Sequence, residues 1–363
     1  MLNQDFERSI GFDFVRTTEA ASLAAFPWIG RGEKELADDA ACDAIRGMFD
    51  LMPIDGEIAI GEGIKDNAPG LFKGEKVGMQ GDGYPKFDIA LDPVDGTSNV
   101  GKGLPNAISC IAAALRAEGD TEPALLDVPA FYMNKLAYGQ KVRDAFVKDP
   151  SLPLSVDADP EDTIKLVAKI LDKNVTDMLV MVIDRPRNQY IIDAIRNLGA
   201  SLRMITDGDI TAALAPALPD SGVDLYMGIG GSPECVLSAA GMRCLGGGLQ
   251  AKIWVIDEDE RKFLIDEGWE DRIDQVFLSR DLARGKNILF TATGILDSSL
   301  LKGVIIKDRT AVTSSVLMRV NFGTVRHIET HHNLDKKTLR FRTQNAEVNF
   351  WDYSKNTVKT VIN

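Results

Sequence analysis

The spacing of apolar residues changes near residue 150 of the chain. Before that point, two helical stretches, the second over 36–49, precede strand-like runs at 57–61, 87–91 and 106–115. After it, apolar runs at 178–183, 201–205, 223–227 and 249–255 alternate with helices predicted over 160–172, 188–198 and 233–245. Continuous apolar strands separated by helices are typical of a parallel sheet covered on both faces. We therefore predict a layered α/β fold, with a mixed sheet in the first half and a largely parallel sheet in the second.

The segment 148–160 (KDPSLPLSVDADP) has the proline and aspartate content of a linker between domains. We place an N-terminal domain at 1–150, a C-terminal α/β domain at 156–335 and a C-terminal extension at 336–363. The segment 286–320 returns to strand-like runs, and the pattern leaves open whether it joins the first domain. A length of 363 residues agrees with two domains.

The charge balance and the scarcity of histidine narrow the range of functions. The 41 lysines and arginines against 54 aspartates and glutamates give a net charge of −13, which argues against nucleic-acid or membrane partners. No apolar run approaches the roughly 20 residues of a membrane span, and no export signal is visible, so we expect a cytoplasmic protein. The four cysteines lack a CxxC pair and are expected to be buried and reduced. All three histidines lie within 327–332, which disfavours zinc sites and Ser-His-Asp triads.

The motif Asp92-Pro-Val-Asp95-Gly96-Thr97 directly follows a buried strand. Two carboxylates three residues apart across a tight turn can converge on one or two divalent cations. Gly96 and Thr97 offer N–H groups and a hydroxyl at a predicted helix N-terminus, where phosphate binds readily. An ordinary Asp-Pro, Asp-Gly turn is the alternative interpretation.

Other charged residues could join this motif. Glu62 ends the adjacent strand between two glycines, and Lys34 and Asp38 project from one face at the start of a helix. Ser232-Pro233-Glu234 combines an expected N-cap, a proline at the first helical position and a glutamate in the first turn. A solvated Lys/Asp pair and plain helix capping are the alternatives for the last two features.

Three successive strands of the second half end in polar, turn-forming residues. These ends are DRPR at 184–187, DGD at 207–209 and GIGG at 228–231. Ligands of open α/β sheets bind outside the carboxyl ends of the strands. Arg185 and Arg187 would supply cations for a phosphate in an otherwise acidic protein, so we predict a binding crevice at this edge.

Together, these segments resemble class II fructose-1,6-bisphosphatase, a family of the lithium-sensitive, metal-dependent sugar phosphatase superfamily. The matching segments follow the family's order from about residue 10 to 335: GRGEK at 30–34 with Asp38, IGEG at 60–63, DPVDGT at 92–97, FYMNKL at 131–136, DRPR at 184–187, TDGD at 206–209 and GIGGSPE at 228–234. DPVDGT alone indicates only the superfamily, whereas the combination is specific. The resemblance implies an αβαβα sandwich of the sugar-phosphatase type.

The resemblance also implies an activity and the roles of individual residues. It implies hydrolysis of the 1-phosphate of fructose 1,6-bisphosphate, in gluconeogenesis or the Calvin cycle, by a homodimer or homotetramer with two or more Mg²⁺ or Mn²⁺ ions per site. The implied catalytic residues are Lys34, Asp38 and Thr97. The implied metal ligands are Asp38, Glu62, Asp92, Asp95 and Glu234. The implied substrate-binding residues are Asp95, Gly96, Thr97, Tyr132, Arg185, Pro186, Arg187, Asp207, Gly208, Asp209 and Gly231.

The sequence departs from the family pattern and leaves alternatives open. Asp95 stands where the family more often has glutamate, and the shorter side chain could shift the metal spacing. A bifunctional enzyme that also accepts sedoheptulose 1,7-bisphosphate is equally compatible with the motifs. The segment 205–211 (ITDGDIT) satisfies the DxDx[TV] pattern of phosphatases that form an aspartyl phosphate, with Asp207 as the nucleophile. An inositol-phosphatase-like enzyme and a non-catalytic sugar-phosphate binder are the remaining alternatives.

Overall fold

Helices and strands alternate along most of the chain. A computed structural model describes the backbone of residues 2–62, 64–65, 68–69, 71–116, 119, 123–343, 348–352 and 357–361, and the side chains of 10–62, 71–116, 119 and 123–343. Gly63 of the IGEG motif lies outside the described residues. The helices are α1 (Leu2–Ala25), α2 (Lys34–Phe49), α3 (Thr97–Lys102), α4 (Gln140–Lys148), α5 (Pro160–Leu171), α6 (Gln189–Asn197), α7 (Asp209–Leu214), α8 (Ser232–Leu245), α9 (Glu258–Asp266) and α10 (Ser279–Leu282).

The strands range from two to ten residues in length, and several follow one another with no helix between them. They are β1 (Asp55–Ile60), β2 (Ile64–Lys65), β3 (Ala68–Pro69), β4 (Lys76–Val77), β5 (Lys86–Asp95), β6 (Ala107–Leu115), β7 (Tyr132–Tyr138), β8 (Leu179–Ile183), β9 (Ser201–Ile205), β10 (Leu225–Gly231), β11 (Gly248–Ile253), β12 (Phe277–Leu278), β13 (Ile288–Leu296), β14 (Ile305–Lys307), β15 (Thr310–Arg319), β16 (Thr324–Asn333), β17 (Thr338–Arg342), β18 (Val348–Asp352) and β19 (Thr357–Val361). The predicted α/β fold class is confirmed. Local signals place several boundaries well: α5 begins at Pro160 because the Asp159 carboxylate accepts hydrogen bonds from the backbone of Glu161 and Asp162.

The chain divides into two units, and the first comprises residues 1–125 and 285–363. Its eight-stranded sheet has the order β14-β15-β13-β6-β5-β1-β4, with β16 paired to the remaining edge of β15. β1 and β5 are parallel, and the other paired strands are antiparallel. Phe14 of α1 packs edge-on against Phe49 of α2 and Phe87 of β5, with ring centroids 6.3 and 5.8 Å apart. These aromatic contacts fix both long helices to the sheet.

The second unit, residues 126–284, has a six-stranded sheet of order β12-β11-β7-β10-β8-β9. The pairs β10–β8 and β8–β9 are parallel, whereas β7 is antiparallel to both β10 and β11. This sheet is therefore mixed rather than largely parallel, which corrects the prediction. The apolar pattern after residue 150 could not reveal this, because the central strand β7 precedes that segment.

The unit boundaries differ from the predicted linker at 148–160. The chain passes from the first unit to the second after Leu125 and returns after Arg284. β7 and α4 come before the predicted linker, yet β7 lies inside the second sheet. The segment 286–320 supplies β13, β14 and β15 to the first sheet. Hydrophobic periodicity identifies strands but not their distant partners, so it cannot place such boundaries.

Two further expectations concern side chains and membranes. All four cysteines are buried and none forms a disulfide, which confirms that prediction. None of the helices in the described part of the chain combines the length and apolar character that a membrane span requires.

A buried histidine makes the stability of the first unit depend on pH. His332, at 5% exposure, shares a 2.8 Å hydrogen bond with the Thr313 hydroxyl. Burial, together with the nearby charges of Lys337 and His331, lowers the pKa of His332 to about 4. Between this value and the ordinary value of 6.5, the unfolded chain binds a proton that the folded chain does not. The contribution of His332 to the free energy of unfolding is therefore fully present above pH 6.5 and is lost as the pH falls toward 4.

We expect the free energy of unfolding to be about 2 kcal/mol smaller at pH 5 than at pH 7 because of His332. Urea unfolding at both values should show that difference in the wild type and in the exposed-site control His327→Asn. The difference should shrink by about that amount in His332→Asn, because asparagine does not titrate. An unchanged pH difference in His332→Asn would show that other groups cause the acid sensitivity.

Candidate active site

Two of the predicted ligands lie near the carboxyl ends of two neighbouring strands. The last registered pair of β1 and β5 is Ile60 with Ala90, after a one-residue shift between Ile58 and Ile60, and Glu62 and Asp92 each follow that pair by two residues. Because paired strands lie about 4.8 Å apart, we expect both carboxylates at one edge of the sheet. Both carboxylates belong to the first unit.

Asp92 and Asp95 lie in a bulge of β5 instead of the predicted tight turn after it. Asp92 pairs with Cys110 and Asp95 with Ile108, so β5 carries one extra residue relative to β6. The Asp92 carboxylate accepts a 3.0 Å hydrogen bond from the backbone of Val94, and Asp95 is buried at 4% exposure. A bulge redirects side chains locally, so both carboxylates can leave the regular alternation of the strand.

Gly96 and Thr97 continue this bulge into α3. Gly96 has φ of 100°, and a Cβ there would lie 2.4 Å from the carbonyl oxygen of Asn106, so no other residue fits. Thr97 begins the helix as predicted, and its hydroxyl donates a 3.2 Å hydrogen bond to the Val94 carbonyl. The Thr97 hydroxyl is therefore held next to the two aspartates.

The N-terminal half of α2 brings Asp38 to the same region as Glu62. Burial, followed by the negative charges of Asp38 and Glu62, raises the pKa of the Cys42 thiol well above its usual range. Both carboxylates must therefore lie near this one sulfur. Sequence spacing alone did not relate Asp38 to Glu62.

Lys34 lies at the start of α2 and close to α3. Gly30 donates a 2.8 Å backbone hydrogen bond to Val100, and Gly32 donates one of 2.9 Å to Gly101. A Cβ on Gly101 would lie 3.3 Å from the Cβ of Lys34. The Lys34 side chain is 52% exposed and pairs with Glu35 at 3.5 Å, so its ammonium remains accessible to an anion.

The donor chemistry of the first unit fits a hard divalent cation. Asp38, Glu62, Asp92 and Asp95 offer only carboxylate oxygens, which suit Mg²⁺ or Mn²⁺ better than zinc. Among the residues that the structure describes, no three His, Cys, Asp or Glu side chains already stand in a metal-binding arrangement. The ligand assignments therefore stay predictions.

In the second unit, β8 lies between its parallel neighbours β9 and β10, so their three carboxyl ends share one edge. Asn188 stabilises this edge: its side chain donates to the Ile183 carbonyl at 3.0 Å and accepts from the Ile229 backbone at 2.8 Å. Asn188 is fully buried, and the sequence analysis did not select it. Its place directly after DRPR was the available signal.

Both arginines of the DRPR segment contact other predicted site residues. The Arg187 guanidinium lies 4.1 Å from the ring centroid of Tyr132, and its Nε donates to the Ile229 carbonyl at 3.0 Å. Arg185 is 3.9 Å from the Asp207 carboxylate. The face of the Arg187 guanidinium stacks on Tyr132, and its Nε is bonded to Ile229. The terminal nitrogens of Arg187 are therefore the groups that could bind an anion.

Asp209 has a different environment from its neighbour Asp207. It is buried, and its carboxylate accepts hydrogen bonds from Lys135 of β7 and from the Tyr226 hydroxyl of β10. Burial opposes the charge of Lys135, but Asp209, Cys235 and Glu234 together raise the pKa of Lys135, so the lysine is charged. Asp209 thus ties β7 and β10 together from inside the unit, and its predicted contact with the sugar stays a prediction.

Sequence reasoning missed Lys135 and Tyr226. Lys135 is a charged residue in the apolar strand Tyr132–Tyr138, and this mismatch was a usable signal. Its partners in the neighbouring strands are Gly228 and Ala251, whose small side chains leave room for it. Tyr226 gave no such signal, because a tyrosine in a buried strand is common.

The start of α8 differs by one residue from the predicted cap. Gly231 is the N-cap, and Ser232 is the first helical residue, whose hydroxyl donates to the Ala130 carbonyl. A Cβ on Gly231 would lie 1.9 Å from Oε2 of Glu234, so that carboxylate folds back against the glycine. Gly231 also pairs with Tyr132 in the sheet, which places it beside the Arg187 stack.

Known proteins resemble the chain over nearly its whole length. The family model described as "Bacterial fructose-1,6-bisphosphatase, glpX-encoded" matches residues 8–332. "Fructose-1,6-bisphosphatase class 2" of Haemophilus influenzae is 41% identical over 340 residues, which cover 90% of this chain and 97% of that protein. "D-fructose 1,6-bisphosphatase class 2/sedoheptulose 1,7-bisphosphatase" of Synechococcus sp. (strain JA-2-3B'a(2-13)) is 34% identical over 357 residues, which cover 92% and 98%. The protein of the same name from Synechococcus sp. (strain JA-3-3Ab) is also 34% identical.

Proposed function

The chain belongs to the class 2 fructose-1,6-bisphosphatase family, and we propose that it hydrolyses the 1-phosphate of fructose 1,6-bisphosphate to fructose 6-phosphate and inorganic phosphate. The family match over residues 8–332 carries this proposal, because it includes both strand edges described above. The parallel pairing of β1 with β5 supports it independently, because Glu62 and Asp92 each follow the last registered pair by two residues. Enzymes of this family depend on metal ions.

The proposed cofactors are Mg²⁺ or Mn²⁺ ions, at least two per site. Asp38 and Glu62 would hold one ion, and Asp92, Asp95 and Glu234 the other. The role of Glu234, which belongs to the second unit, rests on the family resemblance alone. When bound, such ions supply positive charge that stabilises the phosphoryl group in the transition state.

Lys34 and Thr97 are the residues proposed to act at the reacting phosphate. The accessible Lys34 ammonium can pair with a phosphate oxygen, and backbone hydrogen bonds between 30–32 and 100–101 fix the loop before it to α3. The Thr97 hydroxyl can turn from the Val94 carbonyl to hold the attacking water, and the Asp38 carboxylate can accept the water's proton.

Arg187 is the proposed partner of the distant 6-phosphate. A charge-assisted contact to phosphate contributes about 1.5–3 kcal/mol, or roughly ten- to a hundredfold in affinity. Because that phosphate keeps its charge throughout the reaction, its contacts are similar in the ground and transition states. We expect Arg187→Ala to raise the KM for fructose 1,6-bisphosphate by about tenfold and to leave kcat nearly unchanged.

Two controls accompany this prediction. Arg203 is an exposed arginine in the middle of β9, away from the carboxyl ends of the strands. The KM of Arg203→Ala should match that of the wild type. Hydrolysis of a simple monophosphate ester by Arg187→Ala should also be unchanged. Equal losses on both substrates would show that Arg187 serves the reacting phosphate or the fold.

Activity on sedoheptulose 1,7-bisphosphate is a second candidate. It is favoured by the two Synechococcus relatives, whose names include both activities. The aspartyl-phosphate alternative is weakened because Asp209 of the DxD pattern is buried and paired with Lys135 and Tyr226. The cytoplasmic location, the homo-oligomeric state and the pathway stay predictions.

Phosphate release from a panel of esters tests the proposed function. The panel contains fructose 1,6-bisphosphate, sedoheptulose 1,7-bisphosphate, inositol 1-phosphate and 3′-phosphoadenosine 5′-phosphate, each with Mg²⁺ or Mn²⁺. We expect a sugar bisphosphate to be the preferred substrate. Preference for inositol 1-phosphate would overturn the proposal, and release from none would support the non-catalytic alternative.

A further inference from the structure

The last strands of the chain lie beyond the family match, which ends at residue 332. β17, β18 and β19 form a separate three-stranded antiparallel sheet in the first unit. All three belong to the C-terminal extension predicted at 336–363. β17 packs closely against α2, the helix that begins at Lys34 and carries Asp38.

The contact is close at the level of the backbone. A Cβ on Gly47 of α2 would lie 2.2 Å from the carbonyl oxygen of Arg340, so only glycine permits this approach. Leu339 of β17 is buried in one cluster with Leu23 of α1 and Ala44 of α2. β17 is therefore part of the folded core of the first unit.

Arginines of β17 add an ionic link to the far end of α2. Arg340 lies 3.2 Å from the carboxylate of Asp50, the residue that ends α2. Arg342 bridges two carboxylates: its Nε is 2.9 Å from Asp50 and its terminal nitrogen 3.8 Å from Glu75. Glu75 is also 3.4 Å from Arg46, whose side chain is only 4% exposed on α2.

Glu75 connects this link to the strand that leads to Glu62. Its carbonyl accepts a 2.9 Å hydrogen bond from Ile58 of β1, and Gly74 donates a 2.7 Å bond back to Ile58. Arg342 thus joins the end of α2 to the segment bonded to β1. A helix of this length is a rigid rod of about 24 Å, so fixing one end limits how Asp38 at the other end can move relative to Glu62.

From this chain of contacts we infer that Arg342 of the C-terminal extension is a positioning residue for the Asp38/Glu62 metal site. It acts through α2 and β1 and touches neither the metal nor the substrate. The inference rests on the proposed metal roles of Asp38 and Glu62. Residues that support metal ligands typically alter metal affinity by about 10–100-fold, and the distance here places Arg342 at the low end.

The test is a titration of the metal-free, full-length protein with Mn²⁺. Electron paramagnetic resonance measures the concentration of free Mn²⁺ at each step. We expect Arg342→Gln to raise the dissociation constant of one Mn²⁺ by about tenfold. Asp50→Asn removes the helix-side partner of the same link and should weaken Mn²⁺ binding by a similar factor. It serves as the test variant if Arg342→Gln folds poorly. Arg342→Lys keeps the charge but replaces the planar guanidinium with a single ammonium group, so only partial recovery is expected. The matched control is Arg326→Gln, an exposed arginine of β16 in the same unit.

The outcomes separate this inference from the proposed function. Unchanged Mn²⁺ affinity in both Arg342→Gln and Asp50→Asn, with a lower melting temperature, would make the link purely structural and overturn the inference. If Asp38→Asn nevertheless binds one ion fewer than the wild type, the proposed metal role of Asp38 would still hold. Wild-type Mn²⁺ binding by Asp38→Asn would instead refute the metal role of Asp38, and the inference would fall with it.

Discussion

Asp92→Asn is expected to reduce kcat by about a thousandfold, equivalent to about 4 kcal/mol in the activation barrier. Asparagine can still accept the 3.0 Å hydrogen bond from Val94, so the bulge in β5 should persist while the negative charge disappears. The loss should therefore come from the missing metal ligand. Steady-state kinetics with fructose 1,6-bisphosphate at saturating Mn²⁺ or Mg²⁺ measures it.

Two aspartate variants make this prediction specific. Asp82→Asn removes an exposed carboxylate of the same unit and should retain wild-type kcat. Asp207→Asn should mainly raise KM, since Asp207 lies at the strand edge near Arg185. Recovery of an aspartyl phosphate on Asp207 of the wild-type enzyme would contradict the metal account and favour the covalent alternative.

Complete removal of divalent metal is expected to abolish measurable turnover, and its return to restore it. The candidate metal ligands are carboxylates. The motifs contain no histidine that could activate water in place of a metal ion. Stripping with a chelator, desalting and re-addition of Mn²⁺ or Mg²⁺ provide the comparison. Circular dichroism before and after stripping controls for unfolding.

Full activity of the stripped protein in excess chelator would contradict the two-metal account. Asp92→Asn offers a further check, because added metal should restore little activity to it. If metal re-addition rescued both proteins equally, Asp92 would not be a ligand.

Local chemistry in the sequence singled out several candidate site residues. Glu62 and Asp92 stood out because each carboxylate follows an apolar run, and apolar runs with polar ends are visible in a sequence. Thr97 was placed at a helix start because Asp95 and Gly96 precede it, and α3 begins there. The arginines of DRPR were identified because cations at a strand end are unusual in an acidic chain.

The remaining features depend on contacts between distant segments. The Lys135–Asp209 pair joins residues 74 positions apart, and no periodicity records such a contact. The bulge between Asp92 and Asp95 appears only when β5 is aligned with β6. The placement of β7 in the second sheet also comes from strand pairing, which is why the predicted boundary at 148–160 differs from the observed one.

The extension shows the same limit in another way. The sequence places its residues only loosely, and nothing in them indicates that Arg342 reaches Asp50 and Glu75. Gly47, near the C-terminal end of α2, is a local sign of a close approach, because glycine disfavours a helix unless packing requires it.

Phosphorus NMR of the reaction products shows which phosphate leaves the sugar and which bond water breaks. The wild-type protein with Mn²⁺ or Mg²⁺ is incubated with fructose 1,6-bisphosphate in water enriched in oxygen-18. We expect equal amounts of fructose 6-phosphate and inorganic phosphate, with the label in the inorganic phosphate. Accumulation of fructose 1-phosphate, or no phosphate release from a folded, metal-loaded protein, would contradict it.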